Sequence, residues 1–173
     1  MSTLNVDTLQ DKAGAFEHAR LVQIVKTSLS TKSTGTTAVV ADTTPMLITE
    51  GDQYMTLEIT PTHADNILYV SANIPMFGSG NATDIAHSLF NTDIHSTNAL
   101  ATTDFYLANH SNACGTAHLT YDCLASDANG TSATTFRMRA GGVAGTYTIC
   151  GYANSAQYST GSRCTMYVME VRA

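Results

Sequence analysis

The sequence predicts an all-β protein, an antiparallel jelly-roll sandwich of about ten strands preceded by a short extended N-terminal arm. Three observations carry that expectation. Thr, Ser, Ala, Asn and Gly are plentiful, while Lys, Glu and Gln, strong helix formers, are sparse. Apolar residues alternate with polar ones at period two in segment after segment, as they do in a strand with one buried face. Between those segments stand clusters of Gly, Asn, Asp and Ser that read as turns.

In chain order, Leu21–Val25, Ala38–Ala41 and Met46–Thr49 are the first strand candidates, divided by Thr34-Gly35 and followed by the turn Glu50-Gly51-Asp52. In 54–60, Met55, Leu57 and Ile59 take one face and Tyr54, Thr56, Glu58 and Thr60 the other. In 67–74, Leu68, Val70, Ala72 and Ile74 oppose Ile67, Tyr69, Ser71 and Asn73. Further candidates are Ile85–Phe90, Phe105–Asn109 and Ala117–Leu124. In 135–140, Phe136, Met138 and Ala140 oppose Thr135, Arg137 and Arg139; Thr146–Ala153 and Cys164–Val171 complete the series. Short strands at this spacing fold as a sandwich or jelly roll. The single helical signal, 11–20, is too short to stand alone. Residues 1–20 form a polar arm with isolated apolar positions at Leu4, Val6, Leu9 and Phe16, and 21–173 the jelly-roll domain; a plain first sandwich strand is the competing reading of the arm.

Charge and length exclude several classes of function. Eight Lys+Arg against 14 Asp+Glu give a net charge of −6, with no basic cluster to meet a phosphate backbone, so no nucleic-acid partner is expected. The opening residues lack the basic and apolar regions of a secretory signal, and no stretch approaches the ~20 apolar residues of a membrane helix, so no membrane partner is expected either. With 173 residues and 43% apolar content, one domain can bury a core without staples. Cys114, Cys123, Cys150 and Cys164 match no metal-binding spacing and are expected as reduced, buried thiols, with 114–123 or 150–164 pairing as the alternative.

Three segments resemble small virion and fibre-head proteins of tailed bacteriophages, of the cyanophage and marine-phage kind. These are the opening 2–11 (STLNVDTLQD), the strand, Thr-Pro loop and strand of 57–70 (LEITPTHADNILYV), and the final strand 164–171 (CTMYVMEV) with its Glu170. With the strands between them, the resemblance extends over nearly the whole chain. It implies a jelly roll like the tumour necrosis factor and complement heads, assembled as a homotrimer in a virion. The loop His63-Ala64-Asp65-Asn66 departs from that family's Ser-rich loop, as do the four cysteines.

Chemistry-bearing clusters are few. Asp84, His87, Asp93 and His95 are the densest set, and an extended 93–95 would turn Asp93 and His95 to one face, as a metal edge requires. Polar loop residues are the simpler reading, and neither a metal, a cofactor nor a catalytic residue is expected. His18, His63, His110 and His118 are scattered singly, with a three-fold interface as one role for them. The eight tyrosines read as core or subunit-interface residues rather than a glycan-stacking surface. The expected function is therefore structural: a trimeric capsid decoration, or cement, protein docked on the particle through Leu4, Val6, Leu9 and Phe16, with the major capsid protein or a tail protein as its partner. The alternative is a short tail-fibre or tail-spike tip that binds a host surface glycan or protein through loops carrying Asn81, Asn98 and Asn129.

Overall fold

The structure is a computed structural model and describes residues 21–79, 84–106, 112–150 and 162–173. Ten strands fill these segments: β1 Leu21–Leu29, β2 Ser33–Gly35, β3 Asp52–Ile59, β4 Ile67–Ser79, β5 Asp84–Phe90, β6 Ala101–Tyr106, β7 Asn112–Leu124, β8 Thr134–Gly142, β9 Thr146–Ile149 and β10 Cys164–Val171. One sheet runs β1-β10-β4-β7, with β9 and β2 continuing beyond the upper half of β4; the other runs β3-β8-β5-β6. All pairings are antiparallel, and from β2 to β9 every step except β5 to β6 crosses from one sheet to the other. That is a jelly roll, the fold class the sequence predicts.

The alternation read from the sequence sets the core. Met55, Leu57 and Ile59 from β3, Leu68, Val70, Ala72 and Ile74 from β4, Phe136, Met138 and Ala140 from β8, and Met166 and Val168 from β10 are all buried between the sheets. β4 changes partners midway. β10 pairs with it as far as Asn73, and β9 takes over at Met76. Pro75 lies in the gap, where its missing N–H costs no ladder bond on that edge, and its carbonyl accepts from the Cys150 N–H.

At this junction the expectation of four reduced thiols fails. Cys150 and Cys164 form a disulfide across a Cα separation of 6.0 Å, tying the end of β9 to the start of β10 as both leave β4. A sequence separation of 14 said nothing of the shared neighbour, Pro75, that brings the two ends together. Cys123 is free and buried, as expected, and burial pushes its thiol up to about 11.

Two further expectations are corrected. Residues 38–41 and 46–49 are not strands: they belong to a segment that crosses the outer face of β8 and β5, joined by Val39 N–H to Gly142 O and by a lone bridge between Leu47 and Asn98. Their apolar residues bury against a second small core of Val39, Met46 and Phe90 instead of pairing. The approach is close enough that a Cβ on Gly141 would meet Thr37 O at 2.7 Å, so only glycine fits there. Conversely Thr34-Gly35, read as a turn, lies in the short β2 paired with β9. The 11–20 helical signal lies outside the described residues.

Candidate interaction surface

The four residues nominated as a metal edge are not brought together. Asp84 and His87 are three apart on β5 and therefore point to opposite faces: His87 is fully buried between the sheets, whereas Asp84 lies on the outer side. Residues 92–94 form a turn rather than an extended segment, because the Asn91 side chain accepts from the N–H groups of Asp93 and Ile94. Asp93 in turn accepts from the Thr134 hydroxyl. Among the described residues no three His, Cys, Asp or Glu side chains are placed to hold a metal.

His87 is nevertheless unusual. It contacts the Tyr147 hydroxyl through Nε2 and packs edge-on against Tyr147 and Phe105. Its Nδ1 lies near the Thr103 main chain but outside hydrogen-bond geometry, and so does without a partner. Burial pushes the imidazole down to about 4, so it is neutral at pH 7. The Tyr54 hydroxyl is a second buried group without a partner, and desolvation drives its titration far upward.

Of the nominated receptor residues, Asn98 forms the bridge to Leu47 and Asn129 adopts φ 83° as the cap of the one-turn helix Ala125–Ala128, its amide donating to Ala133 O. Both have turn-building roles in the fold. Asn81, the arm residues Leu4, Val6, Leu9 and Phe16, and His18 and His110 lie outside the described residues.

Sequence reasoning gave Glu170 no role beyond marking the last strand. It is a carboxylate buried at the lower edge of the sandwich, and among the described residues no ion pair involves it. Oε1 accepts from Thr62 N–H (2.8 Å), the Thr62 hydroxyl (2.7 Å) and the Asn66 amide (2.5 Å), and Oε2 accepts from the Gln23 amide (2.6 Å). Gln23 also donates to Thr60 O. Burial pushes the carboxyl up, but the donors from Asn66, Gln23 and Thr62 together outweigh it and hold the group at about 2. This clamp joins β1, β10 and the Thr-Pro loop, so the segments 57–70 and 164–171 meet at one carboxylate.

The inward set of β10 leaves Thr165, Tyr167, Met169 and Val171 facing out. The register places Ile24, Met169 and Tyr69 side by side across β1, β10 and β4, with Val171, Ile67 and Leu124 in the next row. Ile24 is 52% exposed, Tyr69 41% and Leu124 43%. One face of the β1-β10-β4-β7 sheet therefore presents a contiguous apolar band to solvent, where a solvated sheet would alternate apolar-in and polar-out. On the opposite side of the molecule, a groove of about 600 Å³ runs between the covering segment and the β5–β6 edge, lined in part by Val40, Met46, Asp42, Asp84 and Asp104, with no basic side chain.

Fold and surface together define a jelly-roll protein with a cross-strand apolar face. No family model and no curated protein matches the chain. Among solved structures it is similar to a subunit of Bacillus endospore appendages, described as disulfide-linked pili, at 9% identity and TM-score 0.33, covering 87% of this chain and 89% of that one. It is also similar to the infectious bursal disease virus VP2 subviral particle, at 10% identity and TM-score 0.34, covering 87% of this chain and 40% of that one. At these scores neither likeness bears on what the chain does.

Proposed function

We propose that this chain is a non-enzymatic structural subunit of a bacteriophage virion, a homotrimeric capsid decoration protein that docks on the shell through residues 1–20. The observation that carries the reading is the apolar band of Ile24, Met169 and Tyr69 with Val171, Ile67 and Leu124. Such a face costs solubility in a lone monomer and is covered at no cost when copies pack together. The family resemblance supplies the number three and the virion setting. Attachment through three arms suits weak single contacts: Leu4, Val6 and Leu9 are each worth about 1.5–3 kcal/mol if fully buried, and the second and third engage at high effective concentration.

Three measurements test this. Light scattering of the full chain should give a trimer or a multiple of it, falling below the trimer mass in a Tyr69→Lys, Met169→Lys variant; a monomeric or dimeric parent refutes the trimer. Quantitative mass spectrometry of purified particles should find hundreds of copies, whereas a handful indicates the tail-fibre tip. Removal of residues 2–20 should abolish incorporation into particles while leaving the jelly roll folded. Normal occupancy after that truncation refutes the docking role.

A further inference from the structure

The sandwich has an open main-chain edge at β1. Nine residues, Leu21–Leu29, pair on one side with β10, and among the described residues nothing pairs with the other side. Natural sandwiches blunt such edges with charges, prolines, bulges or a covering loop, because unpaired N–H and C=O groups template the addition of another strand. Two of the other edges, β3 and β7, carry these devices. β3 has a bulge between Gln53 and Met55, with Asp52 and Glu58 along it, and the Gln23 side chain occupies Thr60 O just past its end. β7 bears Asp122, and its His118 carbonyl accepts from Thr103.

β1 has almost none of them. Its one irregularity falls at the end, between Leu21 and Gln23, and it contains no proline. Its single charge, Lys26, folds over the Tyr167 ring 5.2 Å away instead of guarding the edge. Leu21, Val22 and Ile24 are exposed beside it, so the edge is continuous with the apolar band. Meanwhile Gln23, held by Glu170, keeps the strand fixed against β10.

We propose that β1 is a pairing edge for a second copy of this chain, joined antiparallel about a two-fold axis through Val25. That register uses all nine residues: Leu21 faces Leu29 of the other copy, Ile24 faces Lys26, and Gln23 faces Thr27. It sets no like charges opposite each other, since each lysine faces an isoleucine. The two apolar bands then merge across one continuous sheet. The contact uses the edge rather than the face, so it is separate from the three-fold contact proposed above and would link one trimer to the next.

Disulfide trapping tests the register directly, because opposed residues in antiparallel strands have Cα atoms about 4.5–5.5 Å apart, within reach of a disulfide. Full-length Ile24→Cys and Lys26→Cys variants are each oxidised alone and as an equal mixture, with Ser28→Cys and the parent chain as controls. Each single variant should stay uncrosslinked, and the mixture should yield a covalent dimer from roughly half of the chains, the statistical share of mixed pairs. No dimer in the mixture, or equal dimer from Ser28→Cys alone, overturns the proposal. The Tyr69→Lys, Met169→Lys background separates the two readings: a crosslink that persists there leaves the edge contact intact whether or not the three-fold contact exists.

Discussion

Converting Glu170 to glutamine should destabilise the protein in a way that disappears on acidification. In the native state the carboxylate accepts four hydrogen bonds from neutral donors and titrates at about 2, against an ordinary value of 4.5. That difference corresponds to roughly 3 kcal/mol of native-state preference for the ionised form. Because the folded value is depressed, the unfolded chain binds the proton first. The stabilisation is complete above about pH 5 and is lost as the pH falls through 4.5 toward 2. In Glu170→Gln the amide oxygen can still accept from Thr62 and Asn66, but its NH₂ meets the Gln23 NH₂ as donor against donor. Gln23 can answer by flipping only if it abandons Thr60 O. Urea denaturation at intervals from pH 7 to pH 2 should therefore place the variant about 2 kcal/mol below the parent at neutral pH. The two curves should converge near pH 2, where the parent carries a neutral carboxyl too. A gap that stays constant with pH would show that the loss is one of packing and would refute the role assigned to the charge.

Three further outcomes follow from other parts of the structure. His87, neutral and titrating at about 4, should make stability fall by roughly 3 kcal/mol as the pH drops from 6.5 to 4, since the unfolded chain takes up the proton first; His87→Phe should flatten that limb in urea melts while leaving the lower-pH Glu170 limb in place. Reducing Cys150–Cys164, or replacing both with serine, should cost about 3 kcal/mol by the loop-closure relation and lower the calorimetric midpoint by roughly 8 °C; an unchanged midpoint would mean the bond adds nothing. Gly141→Ala should push the 37–51 segment off β8, costing about 1–3 kcal/mol, and limited proteolysis should then cut between Thr37 and Gly51, where the parent resists.

How much could be read from the sequence depended on the range of the interaction. Period-two alternation is a local property, and it placed β3, β4 and β8 with their buried faces. Residues 38–41 and 46–49 have the same local composition yet form no ladder. What decides their state is the outer face of Phe90 and Gly141, residues far along the chain that leave room for an apolar cover. The metal reading of Asp84 and His87 failed on a local rule that was available: three apart on one strand means opposite faces. Its other half assumed an extended 93–95, and the Asn91 side chain turns the chain there instead. The 150–164 disulfide stood only as the alternative to reduced thiols, because what brings the two cysteines together is set at Pro75, a third position not near either in sequence.

The last strand is physically coupled to the Thr-Pro loop of 57–70. On β10 the alternation has two faces with different work. Cys164, Met166, Val168 and Glu170 point inward, so the strand carries one disulfide cysteine, two core residues and the clamp that holds both β1 and the Thr-Pro loop. Thr165, Tyr167, Met169 and Val171 point outward and make the middle of the apolar band. A glutamate two residues after Val168 can reach the loop only if 60–66 returns close to the strand, and it can stay ionised there only if that loop supplies donors, as Thr62 and Asn66 do. Loop and terminal strand are thus one electrostatic unit separated by about a hundred residues. Changing either half alone leaves a buried charge or buried donors unsatisfied, which is the physical reason to expect them to travel as a pair.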